Sequence, residues 1–502
     1  MAGHVLTLVP SGLSRSFPGG TVLWEALLDM GVQVRTPCGG RGTCGRCRVS
    51  VEGMPAEVLA CRTVMDRDMR VLMGPTATQE TPAILGIGPQ SRLAAAIDIG
   101  TTTVKVSLVD VEKEQAFPAA SFLNPQHRYG HDVISRIAAA AEPAVHARLG
   151  RLIRDAVRIC LENSLAASGI PGHRLETAVF SGNTTMLFLL FGLDVAPLGR
   201  YPYSAPVRDF TGLEPGSAGL SGLVRGSIHA LPVLSAFIGA DLVGGLTLCD
   251  KAVGGKTVFF IDLGTNGELF CLDSRGRIFA TSCAMGPALE GMTISWGMTA
   301  DTGAITHIRQ GTEGLAFDML GAGEPAGITG TAVIDLLAIL LDRGVILPGG
   351  AFSPATDLPS PLSQDHDDRS RALRLWGPIR FTQTDVRNVQ LAKAATLAAS
   401  RFLLDAAGCR PEEIEHVFIA GAFGEHLDLD RFRRLGFIPT LGNARFSFLG
   451  NTSLKAAEQA CTDPDFLDSA AAIRDRSEEI VLSERQGFQE AFIQAIAFPP
   501  GD

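Results

Sequence analysis

One pentapeptide occurs twice, and the repeat constrains the fold more than any other feature. Ile97-Asp98-Ile99-Gly100-Thr101 returns 164 positions later as Ile261-Asp262-Leu263-Gly264-Thr265. Each copy closes an apolar strand (LAAAIDIG, TVFFIDLG), and polar residues then lead into a second apolar strand (VKVSLVD, ELFCLD). Apolar, turn, apolar is the pattern of a β-hairpin. Two halves that open alike predict a two-lobed α/β protein with a ligand between the lobes.

The turn chemistry suits phosphate. Gly100 lets backbone approach an anion, and Thr101, Thr102 and Thr103 bring N–H and O–H donors. Asp98 is placed to hold Mg2+ or its waters. The second turn repeats the logic with Asp262, Gly264, Thr265, Asn266, Gly267 and Glu268. A third element, residues 416–426, is an apolar strand that runs into Gly421-Ala422-Phe423-Gly424, a turn against which a nucleoside can lie. Twin Asp-x-Gly-Thr copies also occur in aspartic proteases. That fold is all-β, and the helical spacing of residues 149–168, 330–341 and 391–407 argues against it. Residues 254–257, Gly-Gly-Lys-Thr, imitate the end of a P-loop, but position 250 is aspartate where glycine is needed and the run precedes its strand.

Cysteine usage points to a second module. Of ten cysteines, Cys38, Cys44, Cys47 and Cys61 fall close together with spacing C-x5-C-x2-C-x13-C. The other six are scattered and read as buried thiols. Glycines among the first three thiols let backbone N–H groups turn toward an anionic centre, and Arg41 and Arg46 add positive charge. The spacing approaches the plant-type 2Fe–2S pattern with one extra residue in the first gap. Structural zinc also accepts four cysteines, although it usually pairs two C-x2-C knuckles. The gap before Cys61 is short for a plant-type domain. Residues 5–9 read as a strand, 21–30 as a helix and 48–51 as a strand, so residues 1–73 form a small α+β domain. Residues 74–92, rich in proline and glycine, read as a linker. The lobes then run 93–254 and 255–502.

Composition excludes several classes. With 43 Lys+Arg against 53 Asp+Glu, net charge is −10, which argues against a nucleic-acid partner. No uncharged apolar run reaches membrane-spanning length and the first residues lack a signal-peptide pattern. A cytoplasmic location with no membrane partner is the expectation.

The two hairpins and the late glycine turn resemble the phosphate 1, phosphate 2 and adenosine motifs of the acetate and sugar kinase/Hsp70/actin superfamily. Residues 124–137, 181–186 (Ser-Gly-Asn-Thr-Thr-Met), 286–291 (Gly-Pro-Ala-Leu-Glu-Gly) and 390–395 narrow the likeness. They are similar to blocks of the reductive activators of corrinoid-dependent methyltransferases and corrinoid iron–sulfur proteins. The resemblance implies an α+β ferredoxin-like (β-grasp) N-terminal domain followed by an α/β two-lobed actin/Hsp70/sugar-kinase-type ATPase domain. It implies a 2Fe–2S cluster on the four cysteines, and ATP and Mg2+ on the hairpins and residues 421–424. Asp98 or Asp262 would orient the metal or the attacking water.

The implied task is ATP-dependent electron transfer to Co(II) of a corrinoid iron–sulfur protein or of a methyltransferase's corrinoid subunit. That transfer regenerates Co(I), with electrons from an upstream low-potential donor; a homodimer is also implied. A nucleotide-driven binding change of ~7 kcal/mol would offset ~300 mV for one electron. Some relatives carry C-terminal 4Fe–4S cysteine motifs. Here only Cys409 and Cys461 lie in that region, so no such cluster is expected. A small-metabolite kinase or a nucleotide-binding redox sensor, each with a regulatory iron–sulfur domain, are the alternatives; an activator of radical dehydratases is set aside, because those share a 4Fe–4S cluster across a dimer and no spare cysteine pair is placed for it. The stretch 282–297, rich in small residues and methionine, reads either as a partner surface or as a buried packing segment. His127 and His131, four apart, read as ordinary surface or cleft histidines.

Overall fold

The computed structural model describes all residues except 1–2, 11, 31, 33, 73–86, 88–90, 131, 171–174, 254, 287, 312–313, 355–357, 368–369, 422–425 and 501–502. Most of the 74–92 stretch therefore lies outside the described residues, as do His131, Ala422, Phe423 and Gly424. Two compact units result. One comprises Met1–Thr36, Gly40–Ala252 and Thr452–Arg476; the other comprises Pro37–Gly39, Val253–Asn451 and Ser477–Asp502.

The first unit opens with β1 (Gly3–Val9) and β2 (Ser14–Pro18), a helix over Leu23–Asp29, then β3 (Arg48–Val51), β4 (Val58–Leu59) and β5 (Met69–Leu72). The sheet order is β2-β1-β5-β3-β4. β1 pairs antiparallel with β2 and parallel with β5, which in turn pairs antiparallel with β3. That order, with one helix crossing the sheet, is the β-grasp topology. Leu6 and Leu8 face inward on alternate positions of β1, and Leu23, Ala26 and Leu27 give the helix an i, i+3, i+4 stripe. They meet in one core with Val49, Met65 and Val71.

A six-stranded sheet follows in the same unit. Its strands are β6 (Leu93–Ile99), β7 (Thr103–Asp110), β8 (Gln115–Leu123), β9 (Leu175–Gly182), β10 (Phe210–Leu213) and β11 (Ile228–Ala230), in the order β10-β11-β9-β6-β7-β8. β6, β7 and β8 form an antiparallel meander, and β9 joins β6 in parallel. The helix Thr452–Thr462 returns from far along the chain and lays Ala457 and Cys461 on Ala94, Ala96, Val109 and Val179.

The second unit repeats this plan. Its main sheet contains β12 (Val258–Leu263), β13 (Asn266–Leu272) and β14 (Ile278–Ala284) as an antiparallel meander. Two three-stranded sheets follow: β15 (Ala304–Gln310), β16 (Leu315–Met319) and β17 (Gly327–Ile328), then β18 (Ser363–Asp367), β19 (Ser370–Arg374) and β20 (Arg380–Thr382). β21 (His416–Ala420), β22 (Arg445–Gly450) and β23 (Ser477–Glu479) complete the main sheet, ordered β22-β21-β12-β13-β14-β23. β21 joins β12 in parallel, as β9 joins β6. Helices Gly330–Asp342 and Gln383–Ala407 pack their apolar sides into this unit's core.

Within 282–297, Cys283, Met285, Ala288, Leu289 and Ile294 belong to that core, whereas Ala284 is exposed and Met292 half-buried. Among the described residues no helix is long and apolar enough to cross a membrane.

Candidate functional site: two hairpin turns and a cysteine loop

The first hairpin turns over Gly100, Thr101 and Thr102. The Gly100 amide donates to Thr103 O at 3.1 Å. A Cβ at position 100 would lie 2.5 Å from that oxygen, so any other residue breaks the turn. Buried donors hold the turn from behind: Asn124 Nδ2 reaches Gly100 O at 2.9 Å, and Asn183 Nδ2 reaches Thr101 Oγ1 at 2.8 Å. Asp98, on β6, is buried, and Ser453 Oγ donates to its Oδ1 at 2.7 Å and lies 2.8 Å from Ser181 Oγ. Asp241 stands near it at the start of the helix Ala240–Val253. Burial pushes the Asp241 carboxyl up to about 7 against the pull of the Leu242 amide, and the negative charge of Asp98 adds to the rise.

The second hairpin is tighter. Only Gly264 and Thr265 lie between the strands, so Asn266, Gly267 and Glu268 sit on β13. Glu268 is the cross-strand partner of Asp262, where the first hairpin sets Lys105 opposite Asp98. Like charges directly opposite are unfavourable unless a cation lies between or beside them. Thr265 Oγ1 donates to Glu290 Oε2 at 3.1 Å. Gly421, at φ +96°, begins the glycine turn: a Cβ there would lie 2.9 Å from Asp262 Oδ1 and 2.6 Å from Leu263 O. The turn therefore starts in contact with the second hairpin. Ala422, Phe423 and Gly424 lie outside the described residues.

In the cysteine loop Cys38, Cys44 and Cys47 are buried, Cys61 is half-buried, and none of the four forms a disulfide. Cys47 Sγ and Cys61 Sγ are 3.1 Å apart, well beyond a disulfide bond of about 2.05 Å. Gly39, Gly40, Gly42 and Gly45 all adopt positive φ, between +63° and +80°. Positions 40 and 42 have no room for a Cβ, which would meet the Trp24 ring at 2.2 Å and Arg62 Nε at 2.0 Å. Among the described residues no three His, Cys, Asp or Glu are arranged to hold a metal ion. Of the scattered cysteines, Cys249, Cys271, Cys283 and Cys461 are buried and Cys160 and Cys409 are half-buried.

Sequence reasoning assigned no part to Asn124, Asn183, Asp241, Glu290 or Ser453. Asn183 carried a readable signal, since an Asn after a strand-ending glycine is a helix N-cap, and its Oδ1 does accept from Met186 N. Ser453 carried none, because it comes from 355 residues beyond Asp98.

Twin meanders with matching turns, joined to a β-grasp domain that carries four thiols, define an ASKHA-type chain with an added cysteine module. Comparison with known proteins specifies this. The model of the RACo middle region matches residues 93–251, and that of the C-terminal ASKHA domain of RACo matches residues 256–502. The chain belongs to the RACo family. It is 29% identical over 416 residues to the corrinoid activation enzyme RamQ of Eubacterium limosum, covering 80% of this chain and 70% of the relative. It is 25% identical over 447 residues to the [Co(II) methylated amine-specific corrinoid protein] reductase of Methanosarcina barkeri, covering 80% and 76%. The solved structure of a reductive activator for corrinoid, iron–sulfur protein superposes with a TM-score of 0.75 over 99% of each chain at 24% identity, which establishes a shared fold.

Proposed function

We propose that this protein is an ATP-dependent reductive activator, an enzyme that delivers one electron to Co(II) of a corrinoid protein and so returns it to Co(I). One observation carries the reading: a cysteine-bearing β-grasp domain precedes paired Asp-x-Gly-Thr hairpins on a single chain. The names of the two curated relatives support the same activity.

The chemistry of these residue types supports the groups this function requires. The three buried thiols, half-buried Cys61 and the left-handed glycines of the loop suit an anionic cluster, and Cys38, Cys44, Cys47 and Cys61 would hold 2Fe–2S. When bound, that cluster supplies a one-electron carrier of low potential. Magnesium usually takes one or two carboxylates and completes its shell with phosphate and water. The Asp262–Glu268 pair suits it without a three-residue cage. Gly100, Thr101, Thr102 and Thr103 would hold nucleotide phosphates from one hairpin, and Gly264, Thr265, Asn266 and Gly267 from the other. Gly421, Ala422, Phe423 and Gly424 would hold the nucleoside. Asp98 would orient water through the order imposed by Ser453, and Asp262 the metal. The organisation this implies is 1–73, 74–92, 93–254 and 255–502, with the last two segments binding ATP.

The test is anaerobic visible absorption of a Co(II) corrinoid protein mixed with the reduced activator, with and without ATP. Co(I) forms with ATP and only slowly without it. Equal rates under both conditions, or ATP turnover stimulated by a small acceptor in place of the corrinoid protein, contradict the proposal.

A further inference from the structure

Arg136 is a cation placed where side chains of its kind are rarely found. It lies on the short helix Val133–Ala139 with no exposed surface. Its Nη2 donates to Thr101 O at 2.6 Å, Nε to Gly130 O at 3.0 Å and Nη1 to Gln126 Oε1 at 3.3 Å; Nη1 also lies 3.1 Å from Met186 Sδ. All four partners are neutral. Asp132, the carboxylate nearest in sequence, accepts from Ser135 N and Oγ. Burial pulls the guanidinium down to about 9, and Asp132 opposes this only at a distance. A buried charge without a counter-charge is costly, so its retention calls for a role.

The turn it touches supplies one. Three successive carbonyls of the first hairpin are taken inward: Gly100 O by Asn124 Nδ2, Thr101 O by Arg136, and Thr102 O by the Asn124 amide at 2.8 Å. A trans peptide turns its N–H to the side opposite its C=O. Each N–H of Thr101, Thr102 and Thr103 therefore points away from the donor that holds its own peptide's carbonyl. Successive backbone N–H groups in a turn can form an anion nest. A peptide whose carbonyl accepts from a cation is polarised, and its N–H becomes a stronger donor.

We propose that Arg136 is the positioning residue of this hairpin: it fixes and polarises the Thr101–Thr102 peptide and supplies the buried positive charge that nucleotide phosphate balances. The inference rests on the ATP-binding reading and adds to it a residue that never touches the nucleotide.

The experiment compares Arg136→Gln and Arg136→Lys with wild type in the full chain, measuring affinity for MgATP and for AMP by calorimetry and KM and kcat for ATP hydrolysis. In Arg136→Gln the ATP affinity falls roughly ten- to hundred-fold, the scale of a hydrogen bond to a charged group. AMP affinity changes much less, KM moves more than kcat, and lysine restores part of the loss. Hydrogen exchange on wild type is the second measurement, independent of whether the variants fold: the amides of residues 101–103 become protected by MgATP and not by adenosine. Unchanged ATP affinity in Arg136→Gln, equal weakening of ATP and AMP, no rescue by lysine, or no MgATP protection at 101–103 overturns the inference. If wild type binds ATP, the three variant outcomes remove only the role of Arg136, and absent protection at 101–103 removes the first hairpin's phosphate contact as well; a wild type that binds no ATP overturns the function too.

Discussion

Replacing Asp29 by asparagine should loosen the helix of the β-grasp domain. Asp29 ends that helix with its side chain only 3% exposed, and three arginines converge on it. Arg15 Nη1 lies 3.1 Å and Arg148 Nη2 2.5 Å from Oδ2, and Arg128 Nη1 lies 3.3 Å from Oδ1. Removing one partner of a fully buried pair costs about 3–5 kcal/mol. Arg15 and Arg148 are 54% and 39% exposed, so water screens them and their share belongs at the surface scale of about 0–1 kcal/mol. Arg128, at 18%, is the well-enclosed partner. The net loss should be about 2–3 kcal/mol.

Hydrogen exchange of a peptide spanning residues 22–30 reads that loss locally, as roughly 30- to 150-fold faster opening. The pH dependence has a definite sign. Although burial alone would raise it, Arg148, Arg128 and Arg15 hold the Asp29 carboxyl below its ordinary range. Its contribution is therefore complete above the unfolded value of about 3.9 and disappears as pH falls through the lower folded value. The ratio of variant to wild-type opening should stay constant from pH 8 to 5 and shrink only below about pH 4. Equal protection in both proteins, or a ratio that closes between pH 7 and 5, refutes this reasoning.

Two further outcomes follow from other sites. Lys393 is buried, donating to Ala495 O and Ala497 O at 2.5 Å each, and burial pulls its amine down to about 8. Between about 8 and the unfolded value near 10.4 the unfolded chain binds more protons, so stability gains from rising pH over that window. Denaturation midpoints should show this gain in wild type and not in Lys393→Met; parallel profiles refute it. Among the six scattered cysteines, burial pushes Cys160 and Cys249 up to about 12, whereas contact with Cys271 holds half-buried Cys409 down. Mass spectrometry after brief iodoacetamide treatment should find Cys409 labelled first; earlier labelling of Cys160 or Cys249 contradicts it.

The hairpins were legible because their chemistry is local. A strand pattern, a glycine that only the turn explains and polar residues at fixed offsets all lie within a dozen positions. The helix of the N-terminal domain was legible by spacing, at Leu23–Asp29 within the expected 21–30. The longest helix of the second unit begins at Gln383, earlier than apolar spacing suggested, because Thr382 and Asp385 form a capping box. That Thr-x-x-Asp signal was present in the sequence. What could not be read is non-local. Arg136 on an amphipathic stretch looks like a solvated charge until tertiary packing encloses it, and Asp241 looks like a helix-start acid until Asp98 stands beside it. The return of Thr452–Thr462 to the first sheet, which delivers Ser453 to Asp98, is a closure that no local pattern encodes.

The most direct test separates the two modules in one assay, cobalt reduction followed by visible absorption with Cys44→Ser and Asp262→Asn beside wild type. The account predicts that Cys44→Ser binds ATP normally and reduces no cobalt, while Asp262→Asn keeps its iron–sulfur absorption and loses its response to ATP. Normal cobalt reduction by Cys44→Ser, or an undiminished ATP response in Asp262→Asn, would contradict it.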